Sequence, residues 1–424
     1  MKFLLGPSLF GSLFLLIFLG IPVAIALGVA AMITMIELGI PLSALPQRLF
    51  TSLDVSSIMA IPFFVLVGNI MTEGGISKKL VTFANHIIGN FRGGLAYAAI
   101  LACIFFAALS GSAPATVIAI GAMLYPEMVA LGYPKERSAG LFVVSGGLGP
   151  IIPPSIIMIV YCTITNNSVG DMFKAGLAVG VLVAVMLIVI CAVLAIKEKW
   201  PKNKEKFVLK EFLTSSINTI PALLLPIIIL GGIYSGLLTP TESGAIAAVY
   251  AFIIGIFGYR TINKDNIGKI MLNSAKSSAM LLFVIGASTV FSWVFTYSGI
   301  SKTLVETIAA LQLSPLIFSL IIALIIVIFG TFMEGIAICV LLVPILYPMS
   351  QSMGLNGTHF GIIVSMGGVV GTMTPPVAVS LFAANSFTKL SIGDIVRGQM
   401  PFFLGFLAVY FLVVAIPQIS TFLL

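Results

Sequence analysis

The stretch Ser145-Gly-Gly-Leu-Gly-Pro-Ile-Ile-Pro-Pro-Ser155 interrupts a long apolar run with residues that no α-helix keeps in its interior. Far downstream, Gly367-Gly-Val-Val-Gly-Thr-Met-Thr-Pro-Pro376 does the same to a second run. Proline removes a backbone donor and collides with the preceding turn, and glycine weakens the helix further. In lipid, freed backbone groups survive only where protein or a water-filled cavity satisfies them. Two helices broken at matching places therefore point to a site built inside a membrane bundle.

Composition fixes the class. Apolar residues make up 59% of the 424 and charged residues 8%. A soluble fold cannot hide that much apolar surface, so an all-α polytopic membrane protein is expected. A β-barrel would alternate apolar and polar residues, whereas these runs are continuous. The net charge of +7 arises in loops between spans and reads as orientation and lipid-headgroup contact, with no call on nucleic acid. Cys103, Cys162, Cys191 and Cys339 lie in apolar segments without metal spacing and read as core.

The chain divides into two units, 1–196 and 220–424, joined by a basic linker at 197–219. The first unit has spans at 3–18, 21–38 and 54–72, then an amphipathic interfacial segment, Ile76–Asn90, with Lys78, Lys79 and His86. A re-entrant hairpin at 94–125 follows, its tip at Ser110-Gly-Ser-Ala-Pro114. Arms of about 15 and 11 residues are each too short to cross a core that needs ~20. A broken helix at 137–166 and a span at 172–196 complete it. The start is read as a retained span and not a cleaved signal ending near Ala24-Ile-Ala26, because it has a counterpart in the second half. The second unit has spans at 220–238, 243–259 and 276–298 and an interfacial helix at 300–311. Its hairpin, 314–349, has its tip at Gly330-Thr-Phe-Met-Glu334; a broken helix at 359–388 and a span at 400–422 end the chain.

The two units are repeats. At an offset of 222, Leu124-Tyr-Pro126 matches Leu346-Tyr-Pro348, Gly149 matches Gly371, and Pro153-Pro154 matches Pro375-Pro376. At 224, Gly75-Ile-Ser-Lys78 matches Gly299-Ile-Ser-Lys302, and at 223, Ser168-Val-Gly-Asp171 matches Ser391-Ile-Gly-Asp394. Each unit crosses five times, about ten crossings in all plus two re-entrant hairpins, and an odd number makes the repeats inverted. One side then holds only Lys2, Arg48, Lys174 and Lys302, and the other receives every remaining lysine and arginine, including the Lys197–Lys210 cluster. The positive-inside rule puts that basic side in the cytoplasm and both termini outside.

In each repeat the hairpin tip and the broken-helix loop should meet near the midplane. The first group is Ser110, Gly111, Ser112 and Thr116 against Gly146, Gly147, Gly149, Pro150, Pro153, Pro154 and Ser155. The second is Gly330, Thr331, Met333 and Glu334 against Gly367, Gly368, Gly371, Thr372, Met373, Thr374, Pro375 and Pro376. Unwound carbonyls and hydroxyls are hard oxygen ligands suited to Na⁺, two ions or more. Helix N-termini after Pro154 and Pro376 favour an anionic substrate. Glu334 has no counterpart, Ser112 holding its place. An intramembrane carboxylate is a functional candidate, as proton carrier or gate partner, although a supporting role at its own tip is the preferred reading. Glu242 reads as a cap for a helix beginning near Ser243. His86 and His359 read as interfacial, without metal-like companions. Ser110 and Ser112 lack a base nearby in sequence, so no enzymatic activity is expected.

Five motifs in order carry a family resemblance. Ser110-Gly-Ser-Ala-Pro-Ala-Thr116, Leu148-Gly-Pro-Ile-Ile-Pro-Pro-Ser155, Gly232-Ile-Tyr-Ser-Gly-Leu-Leu-Thr-Pro-Thr-Glu242, Gly330-Thr-Phe-Met-Glu334 and Met373-Thr-Pro-Pro376 resemble the large membrane subunit of tripartite ATP-independent periplasmic (TRAP) transporters, end to end. The second loop departs from the pattern: Met366-Gly-Gly-Val-Val precedes Gly371 where the family often has Asn-Met-Glu. The resemblance implies an elevator-type carrier in the inner membrane, with Na⁺ at the hairpin tips and adjoining loops. It also implies a small four-helix membrane subunit, expected as a separate polypeptide, and a periplasmic binding protein delivering an organic acid of the sialic acid or C4-dicarboxylate type. A Walker-type phosphate loop is absent, so nucleotide is not expected to drive it, and no redox cofactor is expected. A self-sufficient carrier of the ion transporter superfamily, to which the resemblance points, and a channel are the alternatives.

Overall fold

A computed structural model describes residues 2–73, 77–88, 91–202, 209–375 and 378–424. Pro376, the ends of the expected 76–90 segment and part of the basic linker lie outside the described residues. The fold is helical throughout. Among the described residues there is no β-strand, and a lone bridge pairs Arg92 with Lys202.

The first unit runs α1 (Lys2–Phe18), α2 (Val23–Glu37), α3 (Ala44–Leu53), α4 (Ala60–Glu73), α5 (Ser77–Ile88), α6 (Gly94–Ser110), α7 (Ala113–Ala130), α8 (Lys135–Gly146), α9 (Ile156–Thr165) and α10 (Val169–Lys197). The second runs α11 (Leu209–Tyr234), α12 (Pro240–Ile253), α13 (Lys264–Tyr297), α14 (Ile300–Ala310), α15 (Pro315–Gly330), α16 (Gly335–Ser352), α17 (Gly357–Thr372), α18 (Val379–Thr388), α19 (Ile392–Ala415) and the short α20 (Gln418–Thr421). The order from α4 to α10 returns from α13 to α19, as the offset of about 222 requires.

Several boundaries differ from the sequence reading, each for a local reason. The hairpin arms are longer than expected: α6 has 17 residues and α7 has 18, because α7 continues through Pro126 to Ala130. The matching arm α16 likewise keeps Pro344 and Pro348 inside it. Neighbouring helices can satisfy backbone groups that a membrane proline frees. Helix α11 starts at Leu209, inside the expected linker. Helix α13 starts twelve residues ahead of expectation, because Asn263 and Asn266 form a reciprocal capping box. Helix α3 was not foreseen. Its apolar Leu45 and Leu49 pack inward, and Arg48 lies 4.7 Å above the Trp293 ring of α13.

Among the described residues, seven helices are long and apolar enough to cross a bilayer: α7, α10, α11, α12 with its following π turn, α13, α16 and α19. Of the ten expected crossings, α1, α2 and α4 are single helices of fewer than 18 residues and the two broken helices are each split in two, while α7, an arm expected to be too short to cross, and its counterpart α16 are long enough. Helix α5 leaves α4 at 73°, as an interfacial segment would.

Several basic residues tie helices together through direct contacts. Lys269 pairs with Glu73 at 3.0 Å, Arg137 with Glu198 at 3.0 Å, and Arg92 donates to the Trp200 carbonyl at 3.2 Å. Arg137 also donates to the Gly398 carbonyl at 2.9 Å, fastening α8 to α19. His359, read as interfacial, is instead buried, with Nδ1 2.8 Å from the Ser420 hydroxyl. The four cysteines are buried and free.

Candidate functional site

The first hairpin turns at Gly111, whose φ of 60° lies in the left-handed region that glycine enters without strain. Ser112 is extended (φ −128°, ψ 127°) and precedes α7, with Pro114 in that helix's first turn. Thr116 donates to the Ser112 carbonyl at 2.8 Å, and its hydroxyl lies 3.1 Å from that of Ser110. The first broken-helix loop closes on itself through Ser155, which donates to the Pro150 carbonyl at 2.6 Å. Tip and loop touch backbone to backbone. A Cβ on Gly149 would sit 2.7 Å from the Ser112 carbonyl, and one on Gly111 would sit 3.2 Å from that of Pro154.

The second repeat reproduces this contact with different chemistry. A Cβ on Gly330 would lie 2.7 Å from Cα of Gly371. Thr331 donates to the Ile328 carbonyl, Thr372 to that of Val369 and Thr374 to that of Val370, each at 2.8 Å. Gln399 holds the Met373 carbonyl at 2.9 Å. Glu334 occupies the residue before α16, but its carboxylate makes no capping bond there. Among the described residues it has no hydrogen-bond or ion-pair partner, and it faces open space.

That space is one cavity of about 300 Å³ onto which both repeats open. Of the sequence-predicted residues, Ser110, Gly111, Ser112, Pro150, Glu334, Gly368 and Thr372 line it. Thr116, Gly146, Gly147, Gly149, Pro153, Pro154 and Ser155 lie outside the lining, as do Gly330, Thr331, Met333, Gly367, Gly371, Met373, Thr374 and Pro375. Most of these are buried and shape the tips from behind. The opposite wall was missed. Helices α4 and α13 contribute Asn69, Thr72 and Ser277, and Asn69 donates to Ser274 across those two helices at 2.9 Å. The sequence signal was an amide inside an apolar span, which is costly unless partnered or facing water.

Three helix starts border the cavity: Ala113 and Pro114 of α7, Ile156 and Ile157 of α9, and Gly335 and Ile336 of α16. Helix N-termini carry partial positive charge and unpaired N–H groups, so together they favour an anion. Of the two helix starts named from sequence, α9 borders the cavity and α18 does not. No cluster of three or more His, Cys, Asp or Glu suited to a metal exists among the described residues. A cation here would meet carbonyl and hydroxyl oxygens, with Glu334 the one carboxylate in the lining.

An apolar helical bundle whose two interrupted hairpins close on one shared cavity, apolar over most of its wall with a few polar groups, defines a multi-pass membrane transport protein. The chain belongs to the DctM component family of tripartite ATP-independent periplasmic transporters, whose family model matches residues 10–419. It is 40% identical to the C4-dicarboxylate TRAP transporter large permease protein DctM of Pseudomonas aeruginosa, over 89% of this chain and 88% of that one. It is 30% identical to the sialic acid TRAP transporter large permease protein SiaM of Vibrio cholerae, over 97% and 96%. Among solved structures, MtrF of Neisseria gonorrhoeae shares the fold with a TM-score of 0.62 at 13% identity, over 88% of this chain and 83% of that one. The family is one of transporter permeases and not of enzymes.

Proposed function

We propose that this permease couples Na⁺ entry to uptake of an organic acid, of the C4-dicarboxylate or sialic acid type, across the bacterial inner membrane. It works with a small four-helix membrane subunit and a periplasmic binding protein that delivers the acid. The observation that carries this reading is the cavity itself: three helix starts favour a carboxylate, and the carbonyls and hydroxyls of Ser110 and Ser112 at the first tip, with Glu334 and Thr372 from the second repeat, suit two or more Na⁺ ions. The units 1–196 and 220–424 act as inverted repeats with about ten crossings, and the basic end of the bundle faces the cytoplasm. Helices α4 and α13 belong to a fixed wall, while the hairpins and broken helices carry the site past it as an elevator.

Melting temperature in NaCl, KCl and choline chloride at matched ionic strength tests the coupling ion. At ten times its dissociation constant, a bound ion adds roughly 1.4 kcal/mol per site. A Na⁺-selective rise that shrinks in Thr116→Val is expected, since that hydroxyl holds the tip carbonyl of Ser112. Equal melting in all three salts, with the small subunit present, would remove Na⁺ from the mechanism. The unpartnered carboxylate of Glu334 favours proton coupling as the second reading. In that case Glu334→Gln abolishes pH-gradient-driven uptake while Na⁺ has no effect. Acid binding to the chain alone would indicate a carrier that needs no binding protein.

A further inference from the structure

We infer that the groove between α5 and α11 is a binding site for the phosphate headgroup of an anionic membrane lipid. This groove, about 700 Å³, is separate from the hairpin cavity and shares no lining residue with it. Lys78, Lys79 and Lys210 converge on it, and Thr82, Thr214 and Asn218 line it with neutral polar groups. Among the described residues, no carboxylate is in its lining. Three ammonium groups sharing one groove repel one another, and an anion placed between them relieves that repulsion. Outside the groove, Glu73 is committed to Lys269 and Glu198 to Arg137.

The groove is built and held. Lys79 lies 4.0 Å above the Tyr259 ring, and the Tyr259 hydroxyl donates to the Asn218 carbonyl at 2.9 Å. Buried Thr219 donates to the Lys79 carbonyl at 3.4 Å, tying α11 to α5, and Phe83 stacks on Phe212 at 6.2 Å. A free anion would need only the lysines. The surroundings favour a lipid, because exposed Ile87, Leu213 and Ile217 continue the two helices in apolar surface where acyl chains lie. Basic pockets between membrane helices at the headgroup level recognise anionic lipids on this pattern.

The test is thermal melting and native mass spectrometry of the full-length chain in detergent with added cardiolipin, phosphatidylglycerol, phosphatidylcholine or inorganic phosphate. Cardiolipin and phosphatidylglycerol should remain bound and raise the melting temperature above phosphatidylcholine. In the triple variant Lys78→Gln, Lys79→Gln, Lys210→Gln, affinity should fall by about two orders of magnitude, as expected for three lost basic groups near the surface. The matching triple Lys→Arg variant should keep both signals, which separates lost charge from a damaged fold. Lys276→Gln on α13, outside the groove, should change neither. Lipid retention undiminished in the glutamine triple would overturn the placement. An equal rise with inorganic phosphate would overturn the lipid as occupant, and no preference for anionic lipid in the parent chain would overturn the proposal entirely.

Discussion

At the scale of single residues, the site depends on glycines that let one backbone lie on another. Gly330 and Gly371 meet in the second repeat, and Gly149 meets the Ser112 carbonyl in the first. A methyl group at either junction must push tip and loop apart. Gly371→Ala and Gly149→Ala are each expected to lower stability by about 1–3 kcal/mol, the usual cost of overpacking, seen as an earlier thermal melt. Gly11, where a Cβ meets nothing, should tolerate alanine without loss. Asn69 belongs to the same scale and predicts a different outcome. Ser274 retains its bond to the Ile270 carbonyl when Asn69 is replaced, so Asn69→Leu should leave the melt within about 1 kcal/mol. On the proposed function, in which the cavity holds the cargo, uptake by the reconstituted transporter should fall roughly fivefold or more, the value of one lost polar contact in its wall.

At the scale of elements, a side-chain cap did not by itself make a helix start legible: the capping box at Asn263 and Asn266 was overlooked, and α13 begins twelve residues ahead of the expected span. Glu242 was read as the cap of a helix beginning near Ser243, whereas α12 begins at Pro240 with Thr239 as its cap and Glu242 as the reciprocal partner. The Thr239 hydroxyl accepts from the Glu242 amide at 3.2 Å, and the Glu242 carboxylate accepts from the Thr239 amide at 2.8 Å. Thr239→Ala should cost about 1 kcal/mol and fray the first turn of α12, read by faster hydrogen exchange there. The two broken loops were legible because proline and glycine act locally. Helix α3 was not, because Pro41 and Pro46 flank and enter it, and its stability comes from packing on α13. The cavity wall on α4 and α13 was hidden for the same reason: Asn69, Thr72 and Ser277 gain meaning only when separate spans are brought together.

At the scale of the molecule, the 222-residue repeat made the arrangement readable. It identified both tips, both loops and their pairing from a handful of residues. It did not reveal that the two pairs share one cavity, since an offset relates residues within each repeat and says nothing about distance between repeats. The fastening of α8 to α19 and to the end of α10 was equally hidden, because one side chain, Arg137, makes both contacts. Arg137→Gln should destabilise the chain by about 2 kcal/mol, through loss of charged hydrogen bonds at a half-buried position, with a lower melting temperature as the readout.

The helix starts around the cavity have a further consequence. Their positive potential comes from peptide groups, which neither gain nor lose protons and which no single side-chain replacement removes. On the proposed function, the share of the preference for a negatively charged cargo that these helix starts supply is written in the main chain, and no exchange of a single lining side chain removes it. Side chains such as Asn69, Thr72 and Ser277 can then vary with the shape of the proposed cargo, while that main-chain contribution stays with the fold.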